Sequence, residues 1–142
     1  LIDDAVDLFH PVAESKQITV EMQMPASILV NTDKRSLQRA LSNLLDNAIK
    51  YGNRGGKISI FCDIKDEGVI IQISDNGPGI SATDLPRIFE RFFRAQKSRT
   101  EPGNGLGLSQ ARAFVKSLGG SISVSSTPGK GSMFSIYLPY TT

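Results

Sequence analysis

Two carboxamides and an ammonium group recur along the stretch Asn43-Leu44-Leu45-Asp46-Asn47-Ala48-Ile49-Lys50-Tyr51. At about 100° per residue, Asn43, Asn47 and Lys50 fall within about 60° of one another, while the leucine stripe is centred about 130° away. Carboxamide oxygens are hard, neutral ligands suited to Mg²⁺, which keeps several waters and shares phosphate oxygens. A lysine one turn on meets phosphate as a point charge. Taken alone, the same three residues are also what any solvated helix face presents.

Three further blocks follow in the chain. Asp75-Asn76-Gly77-Pro78-Gly79 puts a carboxylate at the end of an apolar run, where it can accept a hydrogen bond from an exocyclic amine. Its glycines allow a close backbone approach that a Cβ would block, although Asp-Asn-Gly is equally a common turn sequence. Gly103-Asn104-Gly105-Leu106-Gly107-Leu108 opens a helix, whose exposed N–H groups and positive dipole end suit phosphate. Pro128-Gly129-Lys130-Gly131, followed by Ser132, reads as a tight hairpin connection. Each block is weak by itself; in this order they outline a pocket for a Mg-nucleotide. The glycine spacing does not fit a dinucleotide fold, since no strand leads directly into Gly103 and no βαβ unit surrounds it. A P-loop is absent, because Gly-Lys-Ser/Thr never follows a four-residue gap.

The elements that must hold these blocks can be read from periodicity. Residues 2–16 read as a helix carrying Ala5, Leu8, Phe9, Val12 and Ala13, with Pro11 able to kink or break it. Ile18, Val20, Met22 and Met24 alternate as a strand closed by Pro25, and Ile28 to Val30 form a short second one. Asp33 is a natural N-cap for a helix running to about Tyr51, with Leu37, Leu41, Leu44, Leu45 and Ala48 as its core stripe and Gly52 as its end. Strands at about 57–64 and 68–74 are joined by Lys65-Asp66-Glu67-Gly68 as a hairpin turn. Residues 81–90 form a short helical turn region, and residues 91–104 an apolar-poor loop. A helix over about 106–118 stops at Gly119-Gly120. Two strands, 121–126 and 132–138, close the chain. Hairpins with helices inserted between them predict an α+β, two-layer sandwich: a mixed, mostly antiparallel sheet with helices on one face.

Bulk properties narrow the field. A chain of 142 residues suits one domain with a real core. A net charge of +2 is too small to argue for nucleic acid. The lone cysteine, Cys62, rules out an intrachain disulfide and reads as a small buried hydrophobe. No apolar run approaches the roughly 20 residues that span a bilayer, and no signal-peptide pattern is present. The chain opens at Leu1 rather than Met, so an excised fragment is expected.

From about Ala5 to Leu138 the chain resembles the ATP-binding catalytic domain of two-component sensor histidine kinases, in the gyrase/Hsp90/histidine-kinase/MutL superfamily. The resemblance implies the Bergerat ATP-binding fold over residues 1–142, with residues 91–104 as a lid over ATP. It implies that Asn47 coordinates Mg²⁺, that Asn43 and Lys50 contact Mg²⁺ or phosphate, and that Tyr51 packs near adenine. By the same resemblance Asp75, with Gly77, Gly79 and Ile80, reads the adenine amino group, predicting ATP over GTP. Gly105, Leu106, Gly107 and Leu108 cradle phosphate, with Asn104 departing from the family's Thr in the lid. Ile88-Phe89-Glu90-Arg91-Phe92-Phe93-Arg94 resembles the family's F-box. Phe89 is assigned to the nucleotide site, although Phe89, Phe92 and Phe93 could equally be core packing. Arg94 supplies a cation toward the γ-phosphate, while Lys97 and Arg99 read as solvated lid residues. Ser132 stands where the family usually has Thr, its hydroxyl beside the adenine-reading carboxylate.

ATPase relatives carry a Glu general base four residues before the metal-binding Asn; here that place holds Asn43, which cannot take a proton. The resemblance therefore implies phosphoryl transfer rather than rapid hydrolysis. The single histidine, His10, sits before Pro11 without the family's acceptor pattern. The acceptor is then expected on a separate dimerisation and phosphoacceptor domain, in a homodimeric parent that passes phosphate to a response regulator receiver domain. The isolated domain is expected to be a monomer, cytoplasmic, in a parent anchored in the inner membrane or not. Two other readings stay open. An anti-sigma-type serine kinase usually lacks the full F-box seen at Phe89 to Arg94. A binding-only module would lose Asn47 or Asp75, and both are present.

Overall fold

The computed structural model describes Pro11, Glu14 and residues 16–23, 33–51, 55–65, 67–90 and 107–139, with the side chains of Lys34 and Tyr51 excepted. Its elements are β1 (Thr19–Gln23), α1 (Lys34–Tyr51), β2 (Lys57–Lys65), β3 (Gly68–Asp75), a 3₁₀ turn at Leu85–Arg87, α2 (Gly107–Ser117), β4 (Ser121–Thr127) and β5 (Gly131–Pro139). The expected helix over residues 2–16, apart from Pro11, Glu14 and Lys16, lies outside the described residues, as do the strand at Ile28–Val30, Met24, Pro25, Gly52 and the loop at 91–104.

Period-2 alternation builds the sheet. Ile58, Ile60 and Cys62 on β2, Val69, Ile71 and Ile73 on β3, and Phe134, Ile136 and Leu138 on β5 are all buried on one face. The strand order is β1-β2-β3-β5-β4. β2 with β3, β3 with β5, and β4 with β5 are antiparallel, and β1 with β2 is parallel. The parallel pair makes the sheet mixed and mostly antiparallel, as expected. Its cause is α1, which carries the chain from the end of β1 back to the start of β2, as a parallel crossover requires.

Both helices lie on the buried face. The α1 stripe Leu37, Leu41, Leu44, Leu45 and Ala48 is buried as expected, and Ala40 and Ile49 are buried with it. The apolar face is wider than one stripe because α1 packs on α2 as well as on the sheet. Ala111 and Val115 complete that contact from α2.

The helix ends are fixed by local chemistry. Asp33 Oδ1 accepts the Arg35 N–H at 3.0 Å and Oδ2 accepts the Ser36 hydroxyl at 3.1 Å, an N-cap of the expected kind. Past α2, Gly120 N–H donates to Val115 O at 3.0 Å and Gly119 N–H to Lys116 O at 3.0 Å. Those two bonds are the Schellman pattern, which satisfies the last carbonyls.

Candidate functional site

One rung of the sheet is polar. The register pairs Val20 with Ile58, Ile58 with Asp75, Asp75 with Ser132, and Ser132 with Ser126. Alternation puts Asp75, Ser132 and Ser126 on the face that the helices cover, at the edge of the core. Asp75 Oδ1 accepts the Gly77 N–H at 2.9 Å. Burial pushes the Asp75 carboxyl above the ordinary carboxylate range, and the N–H groups of Gly77 and Ser132 pull against that shift. Among the described residues no cation pairs with it. A carboxylate held this way keeps acceptor capacity for a ligand.

The segment after Asp75 is tied down on two sides. Toward β2, Asn76 Oδ1 accepts the Lys57 N–H at 2.8 Å. Toward the β4–β5 hairpin, Gly129 N–H donates to Pro78 O at 2.8 Å and Ile80 N–H to Ser126 Oγ at 2.7 Å. Close approach demands glycine at two places. Gly79 has φ +78°, and a Cβ there would run into the Thr127 carbonyl oxygen. Gly131 has φ +129°, and a Cβ there would run into the Asp75 carbonyl oxygen. The second and fourth sequence blocks are thus one packed structure.

Helix α1 brings the amides. Asn43 and Asn47 are half-buried on it. Lys50 does not project freely: its Nζ lies 3.0 Å from Asp46 Oδ2, an i,i+4 pair with both side chains partly exposed. Such a pair is worth little in water, so a phosphate can compete for the ammonium. Lys16 Nζ donates to the carbonyls of Ile49 at 2.8 Å and Lys50 at 2.9 Å, closing the last turn of α1. Asn43 also opens onto a groove of about 430 Å³ between α1 and α2, whose walls include Gln38, Ser42, Gln110 and Phe114.

Phe89 forms a wall rather than a free ring. It meets Phe134 edge-on at 6.2 Å, and the Arg112 guanidinium stands 5.8 Å over its centre. Ile80 and Leu108 pack partly buried against the core, and Gly107 is exposed at the start of α2. Among the described residues no group of three or more His, Cys, Asp or Glu could hold a metal. The amide oxygens of Asn43 and Asn47 are hard oxygen donors of the kind a divalent ion accepts. Among the described residues no helix is long and apolar enough to cross a membrane.

The model for the histidine kinase-, DNA gyrase B-, and HSP90-like ATPase family matches residues 32–142. The chain belongs to that family. Its relatives within it are sensor kinases. The sensor-like histidine kinase SenX3 of Mycobacterium tuberculosis is 36% identical over 141 residues, which is 98% of this chain and 34% of the relative. The mycobacterial sensor histidine kinase MprB superposes with a TM-score of 0.85 at 33% identity, covering 97% of this chain and 92% of that one. Full-length ShkA, in complex with AMPPNP, gives 0.84 at 28% identity over 99% of this chain and 29% of that one. The chain spans about a third of the length of curated relatives such as SenX3. It is a histidine-kinase-type catalytic domain with the two-layer fold that the sequence predicts.

For this family member, the structure brings Asp75, Gly77, Gly79, Ile80 and Ser132 together at one end of the sheet, with Asn43, Asn47 and Lys50 on α1. Arg94, Gly105 and Leu106 lie outside the described residues, as does the Tyr51 side chain. The Ser132 hydroxyl is engaged with Ser126 Oγ at 2.9 Å, and it is the Ser132 N–H that acts on the Asp75 carboxyl. Sequence reasoning missed Ser126 and Lys16. Ser126 lies in Ser121-Ile122-Ser123-Val124-Ser125-Ser126, where alternation marks its inward face but nothing marks its partners. Lys16 carried no local signal, because its partners are 33 and 34 residues away.

Proposed function

We propose that this chain binds Mg-ATP between the Asp75–Ser132 rung and α1, and that it donates the γ-phosphoryl group to a histidine on a separate dimerisation and phosphoacceptor domain. The observation that carries the reading is Asp75: a partly buried carboxylate with only backbone donors around it among the described residues, walled by two glycine-dependent loops. That arrangement suits a flat base carrying an amine at the 6-position, where guanine has a carbonyl, and so selects adenine over guanine. Asn47 would hold Mg²⁺, with Asn43 and Lys50 toward the phosphates, and Arg94 toward the γ-phosphate. The ion would supply charge neutralisation at the phosphoryl oxygens. Asn43 stands where a hydrolytic relative needs a base, and an amide cannot take a proton. Turnover to ADP is therefore slow without an acceptor. The parent protein is a homodimeric kinase that passes its phosphoryl group to a response regulator receiver domain.

Nucleotide titration of the 142-residue chain tests this. ATP binds in a Mg²⁺-dependent manner and GTP much more weakly; ATP is hydrolysed slowly, and no phosphohistidine forms on His10. Absence of ATP binding would leave an interaction module as the better reading. Rapid hydrolysis by the isolated chain would overturn the transfer assignment.

A further inference from the structure

Ser126 is the inner-face residue of β4 on the polar rung, and its hydroxyl has three neighbours. The Ile80 N–H lies 2.7 Å away, the Gly131 carbonyl oxygen 3.0 Å and the Ser132 hydroxyl 2.9 Å. A serine hydroxyl owns one hydrogen and two lone pairs. The Ile80 N–H can only donate, so it takes one lone pair. The Gly131 carbonyl can only accept, so it takes the hydrogen. Ser132 must then donate to the remaining lone pair. The reverse assignment would leave the lone pairs of Ser126 and Gly131 facing each other at 3.0 Å with no proton between them. Ser126 is saturated, and the Ser132 proton is committed to it.

The consequence reaches the next position of the rung. Ser132 is 8% exposed and is the register partner of Asp75 on the same sheet face. Directly opposed side chains on one face stand within about 4.5–5.5 Å at Cβ. With its proton held by Ser126, Ser132 Oγ presents only lone pairs, beside a carboxylate that presents only lone pairs. Resting on the adenine-site reading above, we infer that Ser126 is the residue that sets base selectivity, by fixing the Ser132 hydroxyl so that the end of the pocket is acceptor-only. An acceptor-only pair matches the two hydrogens of a 6-amino group and repels a 6-carbonyl oxygen. Freed from Ser126, the Ser132 hydroxyl could rotate and donate to that carbonyl. Ser126 acts through Ser132 and is a positioning residue.

The probes are Mg-ATP and Mg-ITP, identical at the phosphates and sugar but differing as amine against carbonyl at the 6-position, with the accompanying proton on N1 of ITP. Dissociation constants for both are measured on the wild-type chain and on Ser126→Ala, Ser126→Cys, Ser126→Thr, Ser132→Ala and the Ser126→Ala/Ser132→Ala pair. Ser126→Ala lowers the preference for ATP over ITP by about threefold to tenfold, the worth of one neutral hydrogen bond, chiefly through tighter ITP binding. Ser126→Cys, nearly the same size with a weak donor and acceptor, does the same should the alanine variant fail to fold. Ser126→Thr keeps the wild-type preference. In the Ser132→Ala background the Ser126 substitution has no further effect on the ratio, a result that a purely structural role for Ser126 would not produce. An unchanged ratio in Ser126→Ala or Ser126→Cys overturns the inference. So does a change that persists without the Ser132 hydroxyl. Asp75→Asn separates the two levels. If it leaves ATP affinity intact, the adenine-site reading itself is wrong. If it weakens ATP while the Ser126 variants keep the ratio, only the role of Ser126 falls.

Discussion

Asp75 is under two opposed influences: burial at the end of a strand raises its pKa, and the N–H groups of Gly77 and Ser132 act to lower it. Because burial raises its folded-state pKa above the ordinary 3.8, the folded protein holds the proton more tightly than the unfolded chain. Stability therefore falls as pH rises from the ordinary carboxylate value through the raised one, and stays lowered above it. Asp75→Asn removes that penalty. Its thermal midpoint at pH 7 equals or exceeds that of the wild type, the difference shrinks toward pH 4, and ATP affinity drops by about tenfold or more. A variant that bound poorly because it was unfolded would show the opposite midpoint shift, so melting curves and titration together decide the case. The glycines around this carboxylate make a second residue-level contrast. At Gly131 an added Cβ meets both an unfavourable φ of +129° and the Asp75 carbonyl, whereas at Gly129, φ +82°, nothing lies within 4 Å. Gly131→Ala loses about 1–3 kcal/mol in urea unfolding. Gly129→Ala loses less, because only the backbone term remains.

Helix α1 is the element that aims the amides, and its two ends are held by unlike means. At the start, Asp33 accepts from the Arg35 N–H and the Ser36 hydroxyl, and those bonds lower its pKa, the Ser36 bond most. A lowered carboxyl pKa contributes stability above its ordinary value and loses it as pH falls through the folded value. Asp33→Ala therefore lowers the melting midpoint at pH 7, and the gap to the wild type closes in acid, the reverse of the Asp75→Asn trend. Along the middle of the helix, Leu44 is 1% exposed, and Leu44→Ala costs about 2–5 kcal/mol in denaturant unfolding through the cavity it leaves. The cap and the leucine stripe were legible in the sequence because both are written within one or two turns. The pairing of β1 with β2 was not, since strand neighbours are chosen by a crossover that no local pattern encodes. Nor was the contact between Gly79 and the Thr127 carbonyl, although both glycine blocks were visible as blocks. What each glycine made room for lies about fifty residues away. Lys16, which closes the far end of α1, was unreadable for the same reason.

At the scale of the molecule, one end of a five-stranded sheet collects three separate parts: the exit of β3, the β4–β5 hairpin and the last turns of α1. The hairpin and the β3 exit are bound to each other by hydrogen bonds and by glycine contacts, so they form one packed unit, the proposed base reader. The amides arrive from a different layer, held to that reader through the hydrophobic core. Hence the sequence displayed the proposed site as separate blocks, and only the fold shows which of them pack together. A ligand that touches both layers must stabilise the fold as a whole, whereas one that touches a single layer gains little. Saturating Mg-ATP, at about one hundred times its dissociation constant, adds about 2.7 kcal/mol by linkage, which is about 5–10 °C in melting midpoint for a domain of this size. ATP without Mg²⁺ gives a smaller shift, because the base reader is engaged but the amides of α1 are not. Asn47→Ala leaves that metal-free shift in place and removes most of the Mg²⁺-dependent increment, while Asp75→Asn diminishes both. Melting the wild type and the two variants with ATP, in the presence of Mg²⁺ or EDTA, reads all of these at once. An Mg²⁺ increment that survives Asn47→Ala would move the ion off that amide; no shift with ATP under any condition would dissolve the two-layer pocket altogether.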